Sequence, residues 1–183
     1  MSTKTRKLKL GGKTIVIGFV ILVLVVAVTA WINHSGHRGG DDGYTLSVQR
    51  MANGKTKTVK KYTLNEIRRM KSVNEYAKLL SAQHADEKGV FTGVPVADIV
   101  RDADPALVKK TRTYIFSAGD GYSSAASAKE IAGGNDVIVA YAKDGRALEH
   151  FNDGGAGPMR VVFTEDTYGN RGTKFLVKII CRE

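Results

Sequence analysis

The sequence predicts an α+β domain with a β-rich core over residues 44–183, carried behind an apolar N-terminal segment. Three observations lead there. Apolar runs of period-two or continuous character outnumber helical ones. Turn signals, Asn53-Gly54 foremost, punctuate them. The composition, 43% hydrophobic and 25% charged, is that of a chain that folds. A length of 183 residues suits one domain plus an appendage and excludes two full catalytic domains.

Tyr44 to Met51 alternates Tyr44, Leu46 and Val48 with polar neighbours, as a half-buried strand does. Pairing across the two-residue Asn53-Gly54 loop sets Val48 opposite Val59 and carries a second strand through Tyr62. Thr63-Leu64-Asn65-Glu66 has capping-box spacing, which predicts a short helix ending near Met70. Val73 to Gln83 is mixed, and its second half reads as a strand. Val90 to Val94 is a short strand. Pro95 then opens a helix with Val96, Ile99 and Val100 on one face. Arg112 to Ser117 is a strand with Tyr114 and Phe116 on one side and Ile115 on the other. Gly119-Asp120-Gly121 turns into a polar strand at Tyr122. Val137 to Ala142 and Arg160 to Thr164 are apolar runs of buried-strand type, and Phe175 to Ile180 closes the domain.

Lys and Arg outnumber Asp and Glu by 28 to 18, but the excess is uneven. Residues 1–13 form a basic tail (Lys4, Arg6, Lys7, Lys9, Lys13) with no acidic group. Beyond it the two signs are interspersed, so no nucleic-acid partner is expected. Thr14 to Ile32 has 16 apolar residues of 19 and no charge. As a helix it would span about 28 Å, enough for the hydrocarbon core of a bilayer. Trp31 stands where an interfacial aromatic belongs, and the basic tail places the N-terminus in the cytoplasm. The expectation is a single-pass anchor in the cytoplasmic membrane over residues 14–32, with the domain outside. The rival is a signal peptide cleaved near Val28-Thr29-Ala30. Residues 33–43 (NHSGHRGGDDG) read as a Gly-rich tether; His34 and His37 lack a third metal ligand beside them.

Within the domain, Gly154-Gly155-Ala156-Gly157-Pro158 is the most conspicuous loop. Such a turn can bring backbone N–H groups against a phosphate, but it lacks a dinucleotide pattern and a plain inter-strand loop fits it better. His84, Asp86 and Glu87 lie close together, as do Glu149, His150 and Asp153; both sets suit solvated loops better than metal sites. No spacing nominates a nucleophile–base pair. Cys181, on an apolar strand, reads as a buried structural thiol. It is also the single Cys, which excludes an internal disulfide and any multi-cysteine metal site.

Taken in order, several segments resemble the sulfite-oxidase-type molybdopterin domain. Thr63-Leu64-Asn65-Glu66-Ile67 resembles that family's T-L-x-E-L helix. Phe91-Thr92-Gly93-Val94-Pro95-Val96-Ala97-Asp98-Ile99-Val100 resembles its W-x-G-V-P-L-x-D-L-L. Ser117-Ala118-Gly119-Asp120-Gly121-Tyr122-Ser123 resembles S-A-D-G-Y-S, and Ile138-Val139-Ala140-Tyr141 with Asp144-Gly145 and Leu148 resembles L-A-Y-x-x-N-G-x-x-L. Gly157-Pro158-Met159-Arg160-Val161-Val162 resembles G-P-x-R-L-V, and Lys174-Phe175 the closing K-W. The likeness covers nearly all of residues 62–180 and implies that family's β-rich α+β fold.

The resemblance also implies a site, and here the chain departs from it. The family's enzymes ligate molybdenum through a Cys thiolate, a position that falls on Ser81; no Cys precedes Cys181. The His and Gly of the family's H-G-x-P-x-R loop fall on Gly155 and Ala156. Arg160 and Lys174 are kept, and such basic groups help hold the anionic pterin in the family. The expectation is a membrane-anchored, non-catalytic module outside the membrane. It would hold no cofactor and bind a ligand or a protein partner there. The alternatives are a molybdopterin-dependent oxidoreductase with Ser81 in place of the Cys, or an accessory subunit of a membrane redox complex without haem or cluster ligands of its own. The tail has no twin-Arg pair, since Lys4-Thr5-Arg6-Lys7 is only basic, which weighs against export of a cofactor-loaded enzyme.

Overall fold

The computed structural model describes residues 43–80 and 86–183. The basic tail, the apolar run 14–32, the tether up to residue 42 and the pair Ser81 and His84 lie outside the described residues. Among the described residues no helix is long and apolar enough to cross a membrane.

Two five-stranded sheets organise the domain. Sheet one comprises β1 (Thr45–Ala52), β2 (Lys55–Thr63), β5 (Thr113–Ala118), β6 (Ser123–Ser127) and β10 (Leu176–Arg182), in the order β2-β1-β10-β5-β6. Only β1 and β10 run parallel in it. Sheet two holds β3 (Val73–Leu79), β4 (Glu87–Pro95), β7 (Val137–Lys143) and β8 (Arg146–Ala147), with β9 (Arg160–Phe163) also paired to β7. Among the described residues four short helices fill the gaps: α1 (Leu64–Arg69), α2 (Val96–Ala103), α3 (Pro105–Lys110) and α4 (Ala128–Ala132).

The main core takes one face of each sheet. Leu46, Val48, Phe116 and Ile179 from sheet one meet Val139, Val161 and Phe163 from sheet two, with Ile67, Ile99 and Val100 from the helices between them. Each such side chain contributes about 1.5–3 kcal/mol on burial. Strands β7 and β9 are buried on both faces over residues 137–140 and 160–163. That is why they read as continuous apolar runs. Gly93 belongs to this packing: a Cβ there would lie 2.4 Å from the carbonyl oxygen of Val139, so β4 and β7 approach only because it is glycine.

Local signals set the ends of the elements. Thr63 caps α1 through a complete capping box with Glu66, as the spacing predicts. Ser127 and Glu130 build a second capping box on α4, and Asp104 caps α3 with Pro105 in its first turn.

Three details depart from the sequence reading. The hairpin keeps its expected register from Ala52↔Lys55 to Gln49↔Thr58, then a bulge slips it so that Val48 faces Lys60 rather than Val59. The slip puts Tyr62 and Lys60 on the core side, with Tyr62 buried, and leaves Val59 exposed. Strand β3 begins at Val73, not midway to Gln83, because its exposed side is polar and masks the period. Helices α3 and α4 were not expected; both are a turn and a half long and have too few apolar positions to show a period.

Register predicts an asymmetry within β10. Ile179 is fully buried on the core side, whereas Ile180 is half-buried on the other. Ile179→Ala should cost about 2–5 kcal/mol of stability and Ile180→Ala roughly 1 kcal/mol, read from urea unfolding midpoints. Equal losses would place β10 between two covered faces.

Candidate functional site

The second face of sheet two carries a small apolar cluster: Ala77 and Leu79 on β3, Phe91 on β4, Ile138 and Ala140 on β7, and Val162 on β9. Arg160 opens β9 opposite Ala140, so its side chain enters this face. It is only 2% exposed. A guanidinium cannot lose its proton, so it must find an anion there. Glu87, at the start of β4, supplies it: Nη1 of Arg160 donates to Oε2 of Glu87 at 2.8 Å. Lys143 reaches the other carboxylate oxygen at 3.2 Å. Both cations lie over the Phe91 ring, at 5.5 Å for Arg160 and 5.6 Å for Lys143. Burial pushes the Glu87 carboxyl up, but the charge and hydrogen bonds of Arg160 and Lys143 outweigh it and hold the group below its ordinary value. The Nε of Arg160 has no partner.

The connection after β9 closes over this cluster. Leu80 donates its N–H to Thr167 O and accepts from the N–H of Gly169. At Gly172 a Cβ would lie 3.3 Å from an Arg160 terminal nitrogen. Arg171, in the same connection, is held at 2.8 Å and 2.5 Å by Asp166 and at 2.6 Å by Glu130, and stacks over Phe163. These contacts hold the carboxyl of Glu130 down at about 2: the backbone N–H of Ser127 is the first cause, Arg171 the second.

The Gly154–Pro158 loop packs beside an aromatic cluster. Phe151 stacks on Phe175 at 4.8 Å, and the His150 ring meets Tyr44 and Phe175 edge-on at 6.2 Å and 5.9 Å. The Nδ1 of His150 accepts the N–H of Asn152 and caps the short turn that follows it. His150 is thus a packing and capping residue. A Cβ at Gly155 would sit 2.1 Å from the Glu149 carbonyl oxygen. This loop conformation therefore has no room for any side chain at the position where the resemblance places a His.

The expected site residues are dispersed. Ser81 lies outside the described residues, immediately after Leu80. Arg160 and Lys174 sit on neighbouring backbone, since Val161 N–H donates to Thr173 O. Yet Lys174 is exposed, and the ion pair of Arg160 goes to Glu87. In sequence Glu87 groups with His84 and Asp86 as a loop acid; its true signal is the strand register that brings it and Lys143 to the same end of β4 and β7. Cys181 is buried in the main core, and burial pushes its thiol up to about 12. Among the described residues no three His, Cys, Asp or Glu side chains group as a metal site. A cleft of about 510 Å³ opens between α2, α3 and α4. Its polar walls are largely engaged: Asp98 pairs with Arg101, Thr111 bonds Leu107, and Asn135 bonds Glu75.

The Arg160 pair should respond asymmetrically to substitution. Glu87→Ala leaves a sealed cation without its anion and should cost about 3 kcal/mol. Arg160→Met should cost clearly less, because Glu87 keeps Lys143 and is 31% exposed to water. Chemical unfolding of the two variants checks this, and equal losses would remove Arg160 as the sealed partner.

Comparison with known proteins fits this architecture. A family model described as "Oxidoreductase molybdopterin binding domain" matches residues 36–183. No curated protein matches the sequence. Among solved structures, the sulfane dehydrogenase SoxCD from Paracoccus pantotrophus is similar, with a TM-score of 0.61 at 15% identity. The match covers 78% of this chain and 39% of that one, so the chain spans about two fifths of that relative's length, and the likeness is one of fold. With the model matching most of its length, the chain belongs to the oxidoreductase molybdopterin-binding domain family.

Proposed function

We propose that this chain is a membrane-anchored, non-catalytic member of its family, whose domain binds a partner or ligand outside the cytoplasmic membrane. The observation that carries this reading is the donor set. A family cofactor takes a soft thiolate ligand and cationic groups for its anionic pterin. The only thiol here, Cys181, is buried in the core and kept protonated. The buried cation, Arg160, is already answered by Glu87, and the loop at Gly155 leaves no space for a side chain. Among the described residues these donors do not fit the cofactor, and Ser81 brings no thiolate to the position of the Cys. The uncharged run 14–32 behind a basic tail supports the anchor and its orientation.

Elemental analysis tests the first half. The full chain, purified from a host that makes the molybdenum cofactor, should carry no stoichiometric molybdenum or tungsten; a near-stoichiometric metal content would overturn the reading. Reporter fusions to the C-terminus test the second half. Alkaline phosphatase fused there should be active and a cytoplasm-dependent fluorescent protein dark, and the reverse pattern would sink the orientation.

A further inference from the structure

We propose that the outer face of sheet one docks on the anionic phospholipid headgroups of the membrane holding the anchor, an inference that rests on reading residues 14–32 as that anchor. The five strands of this sheet carry seven basic residues (Arg50, Lys55, Lys57, Lys60, Lys61, Lys178, Arg182) and not one acidic residue. Four of the seven lie on the core side: Glu183 answers Arg50 and Asp102 answers Lys60, and Lys55 and Lys57 share that side by register. Lys61, Lys178 and Arg182 lie on the other side, exposed, and none has an ion pair among the described residues.

Register lays this outer face out in rows. One row runs Lys61, Ser47, Lys178, Ser117, Ser123 across the five strands. The next runs Thr58, Gln49, Ile180, Ile115, Ala125, and a third Thr56, Met51, Arg182, Thr113, Ser127. Cations and hydroxyls thus flank a half-buried patch of Met51, Ile115 and Ile180. No described helix packs on it. Edge protection explains lysines on β2, an edge strand. It does not explain Lys178 and Arg182, because β10 is the central strand.

Two arguments select lipid over protein. A protein surface mixes both signs of charge, whereas a bilayer with anionic lipid presents one sign repeatedly, the complement of this face. The chain from Ile32 to Thr45 reaches at most roughly 45 Å when fully extended, so the anchor confines the sheet close to the headgroups.

The test uses the full chain reconstituted in phosphatidylcholine bilayers with or without phosphatidylglycerol. A fluorophore goes on Ser123→Cys at the rim of the face, the buried Cys181 being shielded from the reagent, and a quencher on the lipid headgroups. Quenching should require phosphatidylglycerol and vanish at high salt. Docking should weaken about fivefold per cation removed, and so about a hundredfold in the K61Q/K178Q/R182Q variant. Quenching that is equal in zwitterionic bilayers, or unchanged by the triple substitution, would overturn the proposal and leave the face to a protein partner. If the triple variant unfolds, the single K178E on an exposed side chain must still weaken docking. An alkaline carbonate wash separates the two readings. A chain washed from the bilayer refutes the anchor; flotation of that same chain with phosphatidylglycerol vesicles then judges the face, which stands only if wild type floats better than the triple variant. The basic tail is common to both chains and cancels.

Discussion

A guanidinium sealed within a sheet face dictates what can surround it. Arg160 cannot neutralise itself, so its burial at 2% exposure is tolerable only with a fixed carboxylate in reach. Glu87 meets that need from the first residue of β4. Lys143 then balances the remaining carboxylate oxygen from the last residue of β7, and Phe91 lies under both cations. Three strands are therefore coupled by charge at one end of sheet two, in addition to their ladders. The same arrangement consumes the cation that an anionic ligand would otherwise find. Structure and chemistry are linked through one residue: the pairing that makes burial of Arg160 tolerable also occupies the buried cation of this face.

The two sheets treat their second faces differently. Sheet two covers its own, using the connection after β9 to close over Arg160 and the small apolar cluster. Sheet one leaves its second face to Ser, Thr, Lys and Arg with a modest apolar centre. An antiparallel sheet can stand with one face solvated, so the fold does not require a cover there. The charge census does call for a cause, because interspersed signs are the ordinary solution for solubility and the strands of this sheet carry only one sign, with the capping carboxylates of Glu66 and Glu130 reaching the face at Thr63 and Ser127.

Much of this was legible in the sequence, and the rest was hidden for identifiable reasons. The alternation at Leu46 and Val48, the capping box at Thr63 and Glu66, and the apolar runs at Val137 and Arg160 each state a single local rule, and each element formed where that rule placed it. The ordered motifs carried the family, and Gly93 shows why one of them needs its glycine: two backbones meet there. What stayed hidden was pairwise. The bulge between Val48 and Gln49 depends on where Tyr62 must pack, not on the turn that predicts the register. The partnership of Glu87 with Arg160 spans 73 positions of chain and two strand registers. In sequence Glu87 sits beside His84 and Asp86, so composition pointed to a loop of solvated groups. The Ser127–Glu130 box obeys the same rule as Thr63–Glu66, but it starts so short a helix that no apolar period follows to draw attention to it.

The loop at Gly155 separates what packing demands of a motif from what it leaves free. The motif Gly157-Pro158-Met159-Arg160 persists because its members serve packing: Met159 is fully buried in the main core, its carbonyl accepts the N–H of Leu176, and the Phe175 N–H bonds Ala156. These bonds tie the last strand of sheet one to the connection that leads into β9. Nothing in them needs a side chain at Gly155, and the Glu149 carbonyl occupies the space such a side chain would take. Residues that hold the two sheets together are constrained by the core whatever the domain binds. Residues that only faced a ligand carry no such constraint, so the scaffold half of a motif can stay while the ligand half changes. Arg160, answered here by Glu87, shows why the presence of a motif's Arg is by itself no measure of what the domain holds.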